Sequence, residues 1–194
     1  AQMLDVTFNR IQFTPDLMPS DILGTSVFLP AAGRFEYRKG PIFSNIVLVD
    51  EINRAPAKTQ AALFEVMEER QITNDGVEYR MDYPFVVVGT QNPIEHEGTY
   101  RLPEAQLDRF LFKINVTYPS VAEEIKVLEL HDHGAIAHWQ ELEPVLSVEA
   151  LKKLRTQVAQ VRVDLGGRRI IKKIVDATRK SGRLYLGASP RASS

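Results

Sequence analysis

Ile46-Val47-Leu48-Val49-Asp50-Glu51 is the stretch on which the fold turns. Four apolar residues without polar alternation describe a strand covered on both faces, the habit of parallel sheets. Two carboxylates follow at its C-terminal end, where open α/β sheets bind ligands. A second run of the same kind, Phe85-Val86-Val87-Val88, leads through Gly89-Thr90-Gln91 to Asn92. A third strand is expected at Leu111-Phe112-Lys113-Ile114-Asn115-Val116. A weaker one is expected at Arg10-Ile11-Gln12-Phe13-Thr14, which alternates and stops at Pro15.

Helical patterns lie between these runs. Residues 57–69 place Ala61, Phe64 and Met67, with Leu63 beside them, at helical spacing after Pro56, a residue suited to a first turn. A shorter helix is expected over 104–110. Strands alternating with helices predict an α/β fold with a parallel sheet flanked by helices. Two hairpins interrupt that plan. One is centred on Asp75-Gly76, a dipeptide that tolerates positive φ. The other, looser one falls in 26–42, among Val27, Phe28, Phe35 and Tyr37. After Tyr118-Pro119-Ser120 the pattern is helical only, over roughly 121–131, 148–161 and 168–180. Ser147 is placed to cap the second of these, and Gly166-Gly167 to break the chain before the third. The expected division is 1–118 for the sheet domain and 119–194 for a helical module.

The chain has 194 residues, 44% hydrophobic and 25% charged, as in ordinary globular proteins. It has no cysteine, which excludes disulfides, thiolate metal sites and cysteine nucleophiles. No stretch of about 18 apolar residues occurs, so no membrane span is expected. No signal pattern opens the chain, and the cytoplasm is the default compartment. The net charge of −1 hides an asymmetry: residues 149–194 carry 12 Lys or Arg against 3 Asp or Glu. Such a module could face nucleic acid, bound phosphates, an acidic neighbouring copy, or only solvent.

Four features carry chemistry. Asp50 and Glu51 supply the carboxylate pair that nucleotide hydrolysis needs, one to hold Mg²⁺ and one to orient the attacking water. The plainer alternative is a solvated Asp-Glu turn. Asn92, at the tip of a neighbouring strand, offers an amide to a γ-phosphate oxygen, or merely starts a turn with Pro93. Arg109, in Leu107-Asp108-Arg109-Phe110, could reach the phosphates bound by a second copy, or pair within its own chain with Asp108 or Glu104. Arg191 opens a terminal helix and could sense the γ-phosphate, or stand on the surface. His131, His133 and His138 with Glu129 match no helical ligand spacing, and a metal site is not expected there.

The motifs continue in order along the chain. Leu48-Val49-Asp50-Glu51-Ile52-Asn53-Arg54-Ala55 is followed by Lys58-Thr59-Gln60-Ala61-Ala62-Leu63 and by Gly89-Thr90-Gln91-Asn92-Pro93-Ile94-Glu95. Then come Glu97-Gly98-Thr99-Tyr100 and Leu102-Pro103-Glu104-Ala105-Gln106-Leu107-Asp108-Arg109-Phe110. Arg10 to Asp21 stands upstream; Ala177-Thr178-Arg179 and Gly187-Ala188-Ser189-Pro190-Arg191-Ala192 stand downstream. This succession resembles the MoxR family of AAA+ ATPases over nearly the whole chain.

The resemblance implies a P-loop-type parallel sheet followed by a helical lid domain. It implies ATP and Mg²⁺ as cofactors. Asp50 would be the Mg²⁺-associated Walker B carboxylate and Glu51 the water-activating one. Asn92 would be sensor 1, Arg109 the arginine finger and Arg191 sensor 2. The two hairpins would be the helix-2 insert and the insert before sensor 1. A hexameric ring, a chaperone-like remodelling role and a partner with a von Willebrand factor A domain are likewise implied. Nucleic acid is not the expected partner. A nucleic-acid motor of the same AAA+ branch and a docking module without turnover are the alternatives. His96, Arg101 and the basic run Arg168 to Lys173 depart from the family pattern. So does the absence of any Gly-Lys pair, which the phosphate loop G-x-x-x-x-G-K-[ST] requires. The expectation is a chain truncated at both ends, lacking the Walker A segment and most of the sensor 2 helix, and without turnover by itself.

Overall fold

The computed structural model of the chain describes residues 2–92, 100, 102–132, 143–184, 187–189 and 192. Strand β1 (Phe8–Gln12) is followed by α1 (Pro19–Leu23) and by a hairpin of β2 (Gly24–Leu29) and β3 (Arg34–Lys39). Then come β4 (Ile46–Asp50), α2 (Ala57–Glu69), a second hairpin of β5 (Gln71–Asn74) and β6 (Val77–Arg80), β7 (Val86–Gly89) and α3 (Glu104–Leu107). Helices α4 (Val121–Asp132), α5 (Val148–Gln160) and α6 (Leu165–Lys180) complete the order. The chain divides into two compact units, Ala1–Val148 and Glu149–Ser194. Helix α4 lies in the first.

A parallel sheet organises the first unit, in the order β1-β4-β7. Its register pairs Ile11 with Val49 and Gln12 with Asp50 on one side, and Leu48 with Val88 and Val49 with Gly89 on the other. Strand β4, between β1 and β7, is the most buried of the three: Val47 and Val49 are 0% exposed, and Ile46 and Leu48 are half-buried, whereas Val86 and Val88 of the equally apolar edge strand β7 are exposed. Phe13, Ile22, Ile42, Ile52, Leu63, Phe64 and Val66 close around them in one core. Burying such a side chain contributes about 1.5–3 kcal/mol.

Helix α2 covers the expected span, but its inward face is rotated. Thr59, Gln60, Leu63, Phe64 and Val66 are buried, whereas Ala61 is exposed. Two polar residues displace an alanine from the core because their side chains meet backbone carbonyls there. Thr59 Oγ1 donates to Leu17 O at 2.6 Å, and Gln60 Nε2 donates to Ile52 O and Ala55 O, each at 3.1 Å. A buried amide so satisfied loses little by leaving water.

Both hairpins form. The first closes where Gly24, at φ 109°, crosses Gly40; a Cβ on Gly24 would lie 2.2 Å from Arg38 O. A seam joins the hairpins. Ser26 Oγ donates to Asp75 Oδ2 at 2.6 Å, Asn74 Nδ2 donates to Ser26 Oγ at 2.7 Å, and the Tyr37 and Tyr79 rings stack at 4.4 Å.

The strand expected at 111–116 does not form. Leu111, Phe112, Ile114 and Val116 are 77–91% exposed, and neither edge of the sheet, β1 or β7, pairs with them. Apolar composition prepares a strand, but only a neighbour's N–H and C=O groups complete one.

In the second unit, α6 starts at Leu165 and runs through Gly166-Gly167, where a break is expected from the sequence. Asp164 is the reason: its carboxylate accepts the Gly167 N–H at 2.6 Å and caps the helix ahead of the glycines. At the far end, Thr178 Oγ1 accepts the Ala188 N–H at 3.0 Å, and Arg179 Nε donates to Ala188 O at 2.9 Å. These bonds fold Gly187–Ser189 back on α6. A Cβ on Gly187 would sit 2.4 Å from the Arg179 Cα, so only glycine allows the approach. No helix among the described residues is long and apolar enough to cross a membrane.

Candidate active site

Strand β4 delivers Asp50 and Glu51 to the C-terminal edge of the sheet, between the ends of β1 and β7. Glu51 takes a left-handed conformation, φ 54° and ψ 49°, before the 3₁₀ turn Ile52–Arg54. That reversal returns Ile52 to the core, 2% exposed, and leaves the Glu51 carboxylate at the rim. A glutamate in this region costs about 1 kcal/mol or more, and the bonds on either side of it hold the turn.

Thr90, one residue beyond β7, supplies several of them. Its N–H donates to Val49 O at 2.9 Å and its carbonyl accepts the Ile52 N–H at 3.0 Å. Its hydroxyl accepts the Glu51 N–H at 3.0 Å and donates to Asp50 Oδ1 at 3.1 Å. Strand β1 contributes from the other side. Arg10 Nε donates to Asp50 Oδ2 at 2.5 Å, and Gln12 Nε2 to Glu51 Oε2 at 3.2 Å. Arg54 Nη1 adds a second donor to Glu51 Oε2 at 2.8 Å. With Arg10 and Arg54 largely exposed, these ion pairs contribute at most about 1 kcal/mol each to stability. Their effect is on where the carboxylates point.

Asn92 lies three residues past Gly89, on the same edge as Asp50 and Glu51. Its carbonyl accepts the Asn53 Nδ2–H at 3.3 Å. The fold therefore gathers Asp50, Glu51 and Asn92 at the tips of adjacent parallel strands.

Arg109 is placed differently. It follows α3, forms an ion pair with Glu68 of α2, and donates to Phe64 O at 3.4 Å. Its intrachain partner is thus Glu68, not the Asp108 or Glu104 that sequence spacing offers. A cavity of about 240 Å³ opens beside it, lined by Phe64, Glu65, Glu68, Glu69 and Gln106 among others. Three glutamates crowd the C-terminal end of α2, where the helix dipole disfavours negative charge; the Arg109 cation offsets both. Arg191 lies outside the described residues, as do His133 and His138 of the histidine cluster.

The sequence reading missed Thr90, Gln12, Arg10, Arg54, Asn53 and Gln60. Each left a signal only in retrospect: a polar residue within four positions of a strand end, or a buried one on α2. Only Arg54, three residues after Glu51, has a spacing that points to its partner.

A model of the AAA_3 family, described as an ATPase family associated with various cellular activities (AAA), matches residues 1–112. The uncharacterised protein YeaC of Bacillus subtilis is 50% identical over 193 residues, covering 100% of this chain and 60% of that protein. Chaperone MoxR1 of Mycobacterium tuberculosis is 46% identical over 202 residues, covering 100% of this chain and 52% of that protein. The crystal structure of a proposed ATPase from Cytophaga hutchinsonii superposes with a TM-score of 0.84 at 40% identity, over 99% of this chain and 60% of that one. The chain thus spans between 52% and 60% of the length of these relatives. With the family model covering more than half of its residues and the parallel sheet arranged as described, the chain belongs to the AAA_3 family of AAA ATPases, of MoxR type.

Proposed function

We propose that this chain supplies the hydrolytic side of an ATP site, with Asp50, Glu51 and Asn92 acting in one subunit and Arg109 acting on the site of the next. The observation that carries the reading is the juxtaposition of Asp50 and Glu51 at the tip of β4 with Asn92 just past the end of β7: Thr90 bonds the two acidic residues, and Asn53 Nδ2 donates to Asn92 O. Glu51 would orient the attacking water and take up its proton. Asn92 would hold a γ-phosphate oxygen in line with that water. Hard oxygen donors suit Mg²⁺, and Asp50 with its Thr90 neighbour offers them, so Asp50 would hold the ion directly or through water. Bound there with ATP, Mg²⁺ would neutralise charge on the phosphates. Arg10, now on Asp50, would have to yield one carboxylate oxygen.

Replacing Glu51 by glutamine in the full-length protein is expected to abolish ATP turnover while ATP still binds; normal hydrolysis by that variant would remove Glu51 from the role. Arg109→Ala is expected to lose hydrolysis as well, by ~10³-fold or more. Mixing it with a subunit that keeps Arg109 but carries Glu51→Gln should restore part of the activity. Failure to recover at every mixing ratio argues against action between subunits. Arg191 is proposed to sense the γ-phosphate from the helical unit. A chaperone-like role belongs to the same proposal, supported by the likeness to Chaperone MoxR1; the remodelling of protein complexes, the hexameric ring and a partner bearing a von Willebrand factor A domain are proposed with it, on the resemblance of the motifs alone.

A further inference from the structure

We propose that Asn53 is a positioning residue that fixes Asn92 against the Asp50–Glu51 turn. The inference rests on the reading of Asn92 given above and adds the group that sets its distance from Glu51.

Asn53 is 6% exposed, in the 3₁₀ turn two residues after Glu51. Its Nδ2 donates to Asn92 O at 3.3 Å, and its own carbonyl accepts the Tyr100 N–H at 2.6 Å. One residue thereby clasps the chain both as it leaves β7 and where it returns ahead of α3. The turn is fixed from beneath by Gln60, whose amide bridges Ile52 O and Ala55 O at 3.1 Å each. It is fixed from the side by Thr90, bonded to Val49, Asp50, Glu51 and Ile52. Past their last paired residues, β4 and β7 therefore stay joined by a ladder that runs from Val49–Thr90 to Asn53–Asn92.

Stability alone does not explain an asparagine here. Its Oδ1 is buried and has no hydrogen-bond partner among the described residues, a cost on the order of 1–3 kcal/mol that an apolar residue of the same size would not bear. What the amide adds is a fixed spacing between the residue that orients water and the residue that holds the phosphate. Misplacing reacting groups by about 1 Å can cost ~10²-fold in rate, so that spacing matters for turnover more than for folding.

The test uses the full-length protein. Asn53→Leu keeps the size and the burial but cannot donate to Asn92 O. Asn53→Ala is the second variant, should the leucine be poorly accommodated. We expect kcat for ATP hydrolysis to fall by about 10–100-fold, with KM for ATP within about twofold. Hydrogen exchange of the backbone over residues 88–92 should quicken. Asn92→Ala is expected to lose about 10²-fold by itself, and Asn53→Leu should then cost no further activity in that background. A loss of equal size in both backgrounds would mark a merely structural role and overturn the proposal, as would unchanged exchange over 88–92. If Asn92→Ala hydrolyses ATP normally while exchange still quickens in Asn53→Leu, the role given to Asn92 fails and the clasp stands.

Discussion

Two stretches of this chain look alike in sequence and have opposite fates. Ile46–Val49 and Leu111–Val116 are both rich in Leu, Ile, Val or Phe, and both sit beside charged residues assigned to the site. The first is the middle strand of the sheet, with Val47 and Val49 sealed from solvent; the second is exposed along its length. The difference is the neighbour. Strand β4 has β1 on one side and β7 on the other, so its backbone groups find partners and the side chains of Val47 and Val49 are covered. Residues 111–116 have neither edge to pair with. Hydrophobic pattern states what a segment can become; hydrogen-bonded neighbours decide whether it does.

The sharpest way to break this comparison is to put the same charge into both stretches. Val49→Asp buries an unpaired carboxylate at the centre of the core and is expected to cost more than about 4 kcal/mol, enough to unfold the first unit. Ile114→Asp, on a side chain already in water, should change stability by less than about 0.5 kcal/mol. Urea denaturation of the two variants of this chain reads both numbers. Equal losses would mean that 111–116 is covered after all and that the contrast is wrong.

The same contrast explains how far the sequence could be read. Strand β4, strand β7, helix α2 and both hairpins were legible because each signal is local: a β-branched run, a 3.6-residue period, an Asp-Gly turn. The carboxylate pair and Asn92 were legible because they stand at strand ends. What was not legible depends on a partner distant in the chain. Thr90 is 40 residues from Asp50, Gln12 is 39 from Glu51, and Glu68 reaches Arg109 across the interval from α2 to α3. Gln60 is the instructive case. In a helical pattern it occupies a position that composition assigns to solvent, yet it is 2% exposed. The turn below it has two carbonyls that need a donor, a demand made by tertiary structure alone.

Gln60→Ala sharpens that point with a smaller effect than the charge substitutions. It strips the donors from Ile52 O and Ala55 O, and leaves a space in the core. About 2–3 kcal/mol of stability should be lost. Lys58→Ala, two residues earlier and exposed, should cost less than about 0.5 kcal/mol. If the two variants denature at the same urea concentration, burial with two hydrogen bonds does not carry the weight given to it.

The smallest effect lies in the seam between the hairpins, where partners are present but water is close. The Tyr37 hydroxyl donates to Leu23 O at 2.6 Å, and its ring meets Tyr79. Burial pushes its pKa above the ordinary value of 10.0, with the charge that Tyr79 acquires on ionisation acting in the same direction. The folded state therefore favours the neutral phenol. Its contribution is fully present below the unfolded pKa, near 10.0, and is lost as pH rises through the higher folded value. Tyr37→Phe should be less stable at neutral pH by about 1 kcal/mol, for want of the hydrogen bond. Above pH 10 it should lose less further stability than the parent chain, because it has no phenol to ionise there. Denaturation midpoints taken on both sides of that pH give the two slopes. Parallel slopes would show that water reaches the seam as freely as it reaches Leu111–Val116, and that a neighbour in contact is not yet a neighbour that excludes solvent.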